Sequence, residues 1–255
     1  MKRTVRGAIV AILGGAIAAA MAPACVEYPQ SIVVTRSVEP KRQDDGNCVA
    51  ETGTEALLNG VIDLEANRSG YVASLVVQNQ LRAAADPGKA RVETGGIYLL
   101  GASVRLTLVN GTPLLSSRAG VIGNEFRTAG SGYVKPTEEA TITVNMVDGA
   151  AIETLKQELG TGVPGGIRPE VVIAYVRVQA QTLGGLTVES QEFQFPITIC
   201  SRCLIDFPAG IAGDPCPDSE KPEDDAKNTP CTIGQNRRVS CRACKGYSTY
   251  CAKRQ

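Results

Sequence analysis

Cysteines are the residues of this chain whose number and spacing point to chemistry. The chain has nine of them among 255 residues, and seven lie between Cys200 and Cys251. Four of these form two Cys-x-x-Cys units, Cys200 to Cys203 and Cys241 to Cys244. Cysteines at this spacing form disulfides, act as a thiol redox pair or supply thiolate ligands to a metal ion.

The sequence around the two units favours structural disulfides. A thioredoxin-like site places its first cysteine at the start of a long helix, but Pro208 follows Cys203 too closely for that helix to form. A four-cysteine zinc site is chemically possible, although the units are further apart than in a compact zinc ribbon and an oxidising compartment competes for thiolates. An exported thiol or metal-binding protein is therefore the alternative interpretation. Our expectation is that the chain has no metal, no other cofactor and no catalytic residue.

The first 25 residues have the pattern of an export signal. Lys2, Arg3 and Arg6 precede an uncharged run from Gly7 to Ala22. This run is shorter than the roughly 20 apolar residues of a spanning helix, and alanine and glycine dilute it. The sequence Ala-Pro-Ala-Cys that ends the signal resembles the lipobox of bacterial lipoproteins, although proline at its second position departs from the usual pattern.

The lipobox resemblance implies that residues 1–24 are a signal peptide and that Cys25 is acylated as the mature N-terminus. A lipid membrane would then be a partner of the chain, because several acyl chains hold a protein there almost permanently. Val26, where retained lipoproteins have aspartate, implies the outer membrane. The alternative is an ordinary signal peptidase site followed by a Cys25 that forms a disulfide.

The cysteine count agrees with an acylated Cys25. An odd number of cysteines in an exported protein leaves one thiol to explain, and acylation of Cys25 explains it. The remaining eight are candidates for four disulfides in an oxidising compartment: Cys48, Cys200, Cys203, Cys216, Cys231, Cys241, Cys244 and Cys251. Cys48 is far from the others in sequence, so we expect it to bridge the start of the β domain to the tail.

Composition excludes several classes of function. The chain contains no histidine, which removes histidine bases, Ser-His-Asp triads and imidazole metal ligands. Basic and acidic residues are equal at 26 each, so nucleic acid is disfavoured as a partner. A glycosidase with paired acids is the enzymatic alternative to a non-enzyme, with Glu138, Glu139, Glu189 and Glu192 as candidates. Their polar neighbours predict solvated surface positions instead.

Alternating apolar residues predict an all-β fold. In four segments, large apolar residues occupy every second position, which is typical of strands with one buried face. The predicted inward-facing residues are Val104, Leu106, Leu108, Ile142, Val144, Met146, Val176, Val178, Ala180, Phe193, Phe195, Ile197 and Ile199. Two further strands, Gly60 to Leu64 and Tyr71 to Val77, are less regular and suggest burial on both faces. Seven or more strands indicate an antiparallel β-sandwich of immunoglobulin-like architecture.

Turn and helix signals divide this domain further. Gly184-Gly185 predicts a type I′ hairpin turn, because two glycines can both adopt positive φ. Asn110-Gly111 predicts another turn. The segment from Ala150 to Leu159, preceded by Asp148, predicts one short helix.

Four segments follow from these patterns. Residues 1–24 are the predicted signal peptide, and 25–49 a lipid-anchored tether with one short strand at Ser31 to Thr35. Residues 50–199 are the β-sandwich domain. Residues 200–255 are a cysteine-rich, irregular tail that has too few large apolar residues to fold without cross-links.

The whole chain resembles an uncharacterised family of exported bacterial lipoproteins with a β domain and a cysteine-rich C-terminal tail. The resemblance depends on the signal with Cys25, the segment from Tyr71 to Leu81 and a strand ending in Cys200-x-x-Cys203. It implies a lipid anchor in the outer membrane, facing the periplasm or the cell surface, and supplies no activity. We therefore predict a non-enzymatic binding or structural module of the cell envelope, whose partner is an envelope protein or a surface ligand.

Overall fold

The structure is a computed structural model that describes residues 31–67, 69–83, 92–115, 125–159, 169–201, 203–206 and 230–241. These ranges contain fourteen strands and one helix, α1 (Gly149–Glu158). The strands are β1 (Ile32–Val38), β2 (Lys41–Arg42), β3 (Cys48–Val49), β4 (Ala56–Leu57), β5 (Gly60–Asp63), β6 (Gly70–Asn79), β7 (Ile97–Leu108), β8 (Glu125–Val134), β9 (Glu139–Asp148), β10 (Glu170–Thr182), β11 (Thr187–Glu189), β12 (Phe193–Cys200), β13 (Ile205–Asp206) and β14 (Val239–Ser240). No helix within these ranges has both the length and the hydropathy that crossing a bilayer requires.

Two sheets form a β-sandwich. The first sheet has the strand order β4-β1-β6-β9, and the second has β5-β12-β10-β7-β8, with β11 also paired to β10. In immunoglobulin-type sandwiches, strands B and E share one sheet and C, F and G share the other. Here β6 and β9 take the places of B and E, and β7, β10 and β12 those of C, F and G. The predicted immunoglobulin-like sandwich is confirmed, with the difference that β5 pairs with β12 in parallel.

The predicted inner faces form the core. All thirteen predicted inward-facing residues belong to one buried apolar cluster or pack against it. Val104, Val178 and Ile197 are fully buried, whereas Leu108 and Phe193, at strand ends, are partly buried. The alternation therefore predicted the correct face of all four strands.

Strand β6 is buried on both faces, as its apolar run suggests. Its outward-facing Val76 is 0% exposed. An ion pair between Arg36 of β1 and Glu139 of β9 joins the strands on either side of β6, with an N–O distance of 3.0 Å. The loop after β3 also reaches this sheet, since the Thr141 hydroxyl donates to the Ala50 carbonyl at 3.1 Å. Arg36 and Thr141 are the residues paired with Val76, so the ion pair and this loop account for the burial of the outer face of β6 at Val76.

The predicted helix is confirmed to within one residue at each end. Asp148 caps it, and its Oδ1 accepts a hydrogen bond from the backbone N–H of Ala151 at 2.8 Å. Ile152 and Leu155 are buried on the face that the sequence predicts. The helix therefore begins at the cap that its sequence specifies.

The predicted hairpin is present, but its turn type is different. The loop joins β10 to β11, and the Gly185 N–H donates to the Thr182 carbonyl at 2.9 Å. Of the two glycines only Gly185 has a positive φ, +86°, so the type I′ prediction is wrong. A three-residue loop that ends in one left-handed residue fits instead. The predicted turn at Gly111 is confirmed, with a φ of +86° and a bond to the Leu108 carbonyl.

The tether interpretation of residues 25–49 is wrong from Ile32 onward. Strand β1 lies between β4 and β6, and its Ile32 and Val38 are at most 1% exposed. The sandwich therefore begins at residue 32 rather than 50. The polar residues that suggested a linker form a short hairpin, β2 to β3, outside the two main sheets.

The described part of the tail packs onto the sandwich. Strands β13 and β14 pair in parallel, and Leu204, Ile205, Val239 and Cys241 are buried. The few apolar residues of this segment therefore extend the core, beside the disulfides that the sequence predicts for it.

Candidate binding face and the disulfide-linked tail

The outer face of the second sheet carries an exposed cluster of apolar side chains. Tyr98, Leu100, Tyr133 and Leu183, here called the aromatic patch, are 50%, 52%, 42% and 39% exposed. Residues on either side of Tyr98 in β7 face the core, so alternation forces Tyr98 and Leu100 outward. Tyr98 and Tyr133 are paired residues of β7 and β8, with ring centroids 5.2 Å apart.

Gly96 brings the patch residues of different strands together. The Leu183 N–H donates to the Gly96 carbonyl at 2.8 Å. A Cβ atom at Gly96 would lie 2.4 Å from Tyr133 Oη and 2.9 Å from Leu183 Cδ1. Both side chains therefore cover the space that this glycine leaves open. Leu186, 70% exposed, lies in the same hairpin as Leu183 and adds apolar surface nearby.

A charged cluster lies on the same outer face. Arg105 stacks over the ring of its paired residue Tyr175, with the guanidinium carbon 4.1 Å from the centroid. Glu192 accepts from Arg105 at 3.1 Å and from Arg177 at 3.5 Å. These partly exposed ion pairs add little stability, but they place charges further along the sheet face that carries the patch.

The combination of side chains suits protein recognition. Protein interfaces are enriched in tyrosine and arginine, and tyrosine supplies a large rigid contact area with a polar tip. Exposed apolar clusters with a polar rim mark interaction sites. The patch with its charged neighbours therefore suits a protein surface that offers apolar side chains and hydrogen-bond acceptors.

Five of the candidate cysteines lie in the described ranges. Cys48 bonds to Cys231 across a sequence separation of 183, which is the expected bridge from the β domain to the tail. Cys200 bonds to Cys203, and Cys241 is also in a disulfide. The predictions for Cys25, Cys216, Cys244 and Cys251 concern residues outside the described ranges. Among the described residues, no histidine, cysteine, aspartate and glutamate side chains form a group of three or more able to hold a metal ion.

Residues 234–236, here called the edge segment, close the free edge of β5. The Asp63 N–H donates to the Gly234 carbonyl, and the Asn236 N–H donates to the Val61 carbonyl, both at 2.9 Å. The Asn236 side chain completes the pairing, since its Oδ1 accepts from the Val61 N–H at 3.1 Å. The tail therefore satisfies backbone groups that an edge strand would leave exposed.

Gln235 extends this closure to β6. Strand β1 ends at Val38, and Pro40 beyond it has no N–H to donate. The Gln235 side chain takes the place of a strand here: its Oε1 accepts from the Val72 N–H at 3.0 Å, and its Nε2 donates to the Val72 carbonyl at 2.6 Å. A buried amide therefore satisfies both backbone groups of one strand residue.

Asp63 is a fully buried carboxylate at the end of β5. Its Oδ1 accepts from the N–H groups of Glu65 and Ala66, at 3.1 and 3.3 Å. Its Oδ2 accepts from the N–H of Leu204 at 3.0 Å. Asp63 thus joins the turn after β5 to the loop that contains the Cys200–Cys203 disulfide.

Tyr71 connects β6 to the edge segment. The ring is fully buried, and its hydroxyl donates to Asn236 Oδ1 at 3.1 Å. Burial raises the pKa of Tyr71 well above its ordinary value of 10.0, the bond to Asn236 lowers it in part, and the charge of Glu39 raises it further. The phenol therefore stays neutral in the folded state over an extended alkaline range.

We predict that ionisation of Tyr71 destabilises the fold at high pH. The folded-state pKa is raised, so its stabilising contribution is complete below pH 10.0 and is lost as the pH rises further, because the unfolded chain ionises first. Tyr71→Phe loses about 1 kcal/mol at neutral pH with its hydrogen bond, but should lose less stability than wild type above pH 10.0. Urea unfolding of both proteins across this range measures the difference, and parallel losses would contradict the prediction.

The four acids considered as candidates for a glycosidase site are all exposed or half-buried. Glu138 and Glu189 are exposed, and Glu138 pairs with Lys135 at 3.8 Å. Glu139 and Glu192 are half-buried in the ion pairs described above with arginines. The described structure therefore assigns three of the four to surface ion pairs.

Sequence reasoning missed the aromatic patch and the buried polar residues. Ile97 to Leu100 is a continuous apolar run, which does not reveal that Tyr98 faces out. Gln235 and Asn236 lie in a turn, where polar side chains are usually solvated. Asp63 ends a strand whose sequence does not show which partner its carboxylate meets. The only available signal was the pairing of Tyr98 and Tyr133 across strands, which requires the register of β7 and β8.

No protein-family model and no curated protein matches the chain. Among solved structures, the crystal structure of the periplasmic chaperone SfaE is similar, with 12% identity and a TM-score of 0.26 over 57% of this chain and 54% of that chain. The archaellum periplasmic stator protein complex FlaF and FlaG from Sulfolobus acidocaldarius is similar with 14% identity and a TM-score of 0.15, over 58% of this chain and 96% of that chain. This chain thus spans about half the length of the chaperone. At these TM-scores neither similarity supports an inference about fold or function.

Proposed function

We propose that the chain is an exported, non-enzymatic binding module of the cell envelope, anchored in the outer membrane through an acylated Cys25. Its aromatic patch contacts an envelope protein. The observation that carries the proposal is the patch itself, a cluster of outward-facing apolar side chains on paired strands, with Arg105, Arg177 and Glu192 further along the same sheet face.

Disulfides support the export part of the proposal. Cys48–Cys231 and Cys200–Cys203 are typical of proteins that fold in an oxidising compartment. This agrees with the N-terminal pattern of basic residues, an apolar run and Cys25. A lipid on Cys25 would hold the sandwich next to other envelope components, so that even weak contacts gain from a high local concentration.

The position of the aromatic residues supports the binding part. The chain has only seven tyrosines and four phenylalanines, yet Tyr98 and Tyr133 lie in contact on an exposed sheet face. Covering such side chains removes apolar surface from water, which stabilises a complex by about 25 cal/mol per Å² before the costs of association. The neighbouring charges favour one orientation of the partner over others.

One experiment in a Gram-negative host examines the anchor and the face together. A photo-crosslinking amino acid replaces Tyr98, and in a matched control it replaces Leu58, which is 81% exposed but outside the patch. Each is produced with Cys25 or with Cys25→Ser. We expect mass spectrometry to find an acylated Cys25 at the mature N-terminus, membrane association lost in Cys25→Ser, and cross-linked protein from position 98 only. Cys48→Ser is the matched cysteine control and should remain membrane-bound.

The two halves of the proposal fail separately in this design. An unmodified Cys25, or a mature protein that begins elsewhere, would exclude the lipid anchor. Equal cross-linking from positions 58 and 98, or none from position 98, would exclude the patch as the binding face.

A further inference from the structure

The edge segment closes β5 without forming a strand. Gly234 and Asn236 have φ angles of +75° and +61°, which are incompatible with an extended backbone. Its pairing with β5 is limited to one isolated bridge, between Ile62 and Gln235, and the bonds on either side of it. The edge segment thus occupies the position of a strand beside β5, although its own backbone is short and not extended.

The backbone N–H and carbonyl groups of β5 that the edge segment covers are spaced as pairing with an added strand requires. Val61 contributes an N–H and a carbonyl and Asp63 an N–H, all from β5 and all bonded to the edge segment. Without the segment these groups would form an open edge of the second sheet, which binds extended polypeptide by main-chain hydrogen bonds. Val72 belongs to β6 of the first sheet and is bonded to the edge segment through Gln235. A cleft of about 230 Å³, lined in part by Asn67 and Val72, separates the residues that lead into the edge segment from the turn after β5.

The residues that lead into the edge segment do not pack completely against the sandwich. Asn67 lines the cleft, and its Nδ2 is buried without a hydrogen-bond partner among the residues that the structure describes. Thr232 and Ile233, which lead into the edge segment, line the other side of the cleft. A buried donor without an acceptor costs free energy, so this contact is less favourable than a fully paired one.

The edge segment is fixed by strand pairing on its downstream side and by a disulfide on its upstream side. Downstream, Val239 of β14 is buried, and its N–H donates to the Leu204 carbonyl at 2.9 Å. Upstream, the chain is fixed by the disulfide from Cys231 to Cys48, and Cys48 is exposed on the short strand β3. Exposed disulfides are the more readily reduced ones. Upstream, the Arg42 guanidinium also donates to the Pro230 carbonyl, at a long distance of 3.4 Å. The ion pair between Arg237 and Glu39, on the downstream side, is partly solvated and contributes little.

From this arrangement we infer that the Cys48–Cys231 disulfide holds the edge segment over the edge of β5, and that this edge can bind a strand of another protein once the disulfide is reduced. A dithiol reductant transfers two electrons and two protons to it, so that the S–S bond breaks, two cysteine thiols form and the reductant becomes a disulfide. Residues 230–236 then leave β5, and an extended strand of a partner protein pairs with the edge that they uncover. This inference is independent of the aromatic patch.

Hydrogen exchange tests the release. In Cys48→Ala/Cys231→Ala, the amides of Val61, Asp63 and Val72 should exchange at least about tenfold faster than in the oxidised wild type. The amide of Val239, on the downstream side, should change less. Cys200→Ala/Cys203→Ala is the matched control, with the other described disulfide removed, and should leave the amides of Val61 and Val72 slow; Asp63 is left out of this comparison because it pairs with Cys200. Unchanged exchange rates, or an equal increase at core amides such as that of Val176, would contradict the inference that this disulfide holds the edge segment on β5.

A peptide tests whether the uncovered edge binds added polypeptide. The probe is a fluorescent copy of residues 230–236, the segment that the inference releases, with serine in place of Cys231. It is titrated into the oxidised wild type and into a variant that lacks both the disulfide and the side-chain contacts of the edge segment. This variant combines Cys48→Ala and Cys231→Ala with Gln235→Ala and Asn236→Ala. We expect saturable binding to the variant and none to the wild type. Absence of binding to a variant that still folds, as judged by its circular dichroism, would overturn the inference.

Discussion

Replacing Asp63 with alanine is expected to lower the free energy of unfolding by about 3–5 kcal/mol. The carboxylate is fully buried and accepts three backbone hydrogen bonds, from Glu65, Ala66 and Leu204. Alanine leaves these donors without an acceptor in a region that water does not reach. Each buried donor left unpaired costs about 1–3 kcal/mol, and the loop after Cys203 loses its attachment to β5.

Urea unfolding of the purified protein measures this effect. Asp206→Ala is the matched control, because its carboxylate is exposed and its ion pair within the described ranges is with the exposed Arg238, at 3.5 Å; it should cost less than about 1 kcal/mol. Asp63→Asn should fall between the two, since one oxygen is kept but its amide N–H₂ faces the N–H of Leu204. A loss below about 1 kcal/mol in Asp63→Ala would show that this carboxylate does not hold the two loops together.

Gly70→Ala is expected to cost about 3 kcal/mol or more. Gly70 has a φ of +97°, which alone costs an alanine about 1–2 kcal/mol. The added Cβ would also lie 1.9 Å from the backbone oxygen of Val147. Because that oxygen belongs to β9, relieving the clash must shift the pairing of β6 with β9, and such overpacking costs a further 1–3 kcal/mol or so.

Gly185→Ala separates the clash from the backbone strain. Its φ of +86° is similar to that of Gly70, but a Cβ there would meet nothing within 4 Å. We therefore expect a loss of only about 1–2 kcal/mol. Thermal unfolding of both variants, with urea unfolding at one temperature, gives the comparison. Equal losses at the two positions would mean that β9 moves away from Gly70 without cost.

The local sequence was sufficient wherever one strand or one helix carries the information. Val104, Val144 and Val178 alternate with polar residues, and alternation alone decides which face of a strand is buried. Asp148 lies directly before an apolar pattern of helical period, so both the start and the buried face of the helix were predictable. Such predictions need no knowledge of which elements become neighbours.

The remaining features depend on partners that are distant in the sequence. Gln235 acquires its role from Val72, 163 residues away, and Asp63 from Leu204, 141 residues away. The composition of residues 25–49 suggests a tether because Pro40 and a polar run follow β1, and only the position of β1 between β4 and β6 shows that it is a core strand. The outward direction of Tyr98 likewise follows from the register of β7, which an uninterrupted apolar run does not specify.

The long span of the Cys48–Cys231 link also changes what a protease can do to this molecule. The two cysteines are separated by 183 positions, so most of the sandwich lies within the closed covalent loop. A single cut anywhere inside that loop leaves both fragments joined through sulfur. Nicked molecules would therefore keep their full mass on a non-reducing gel and separate into pieces only after the bridge is reduced.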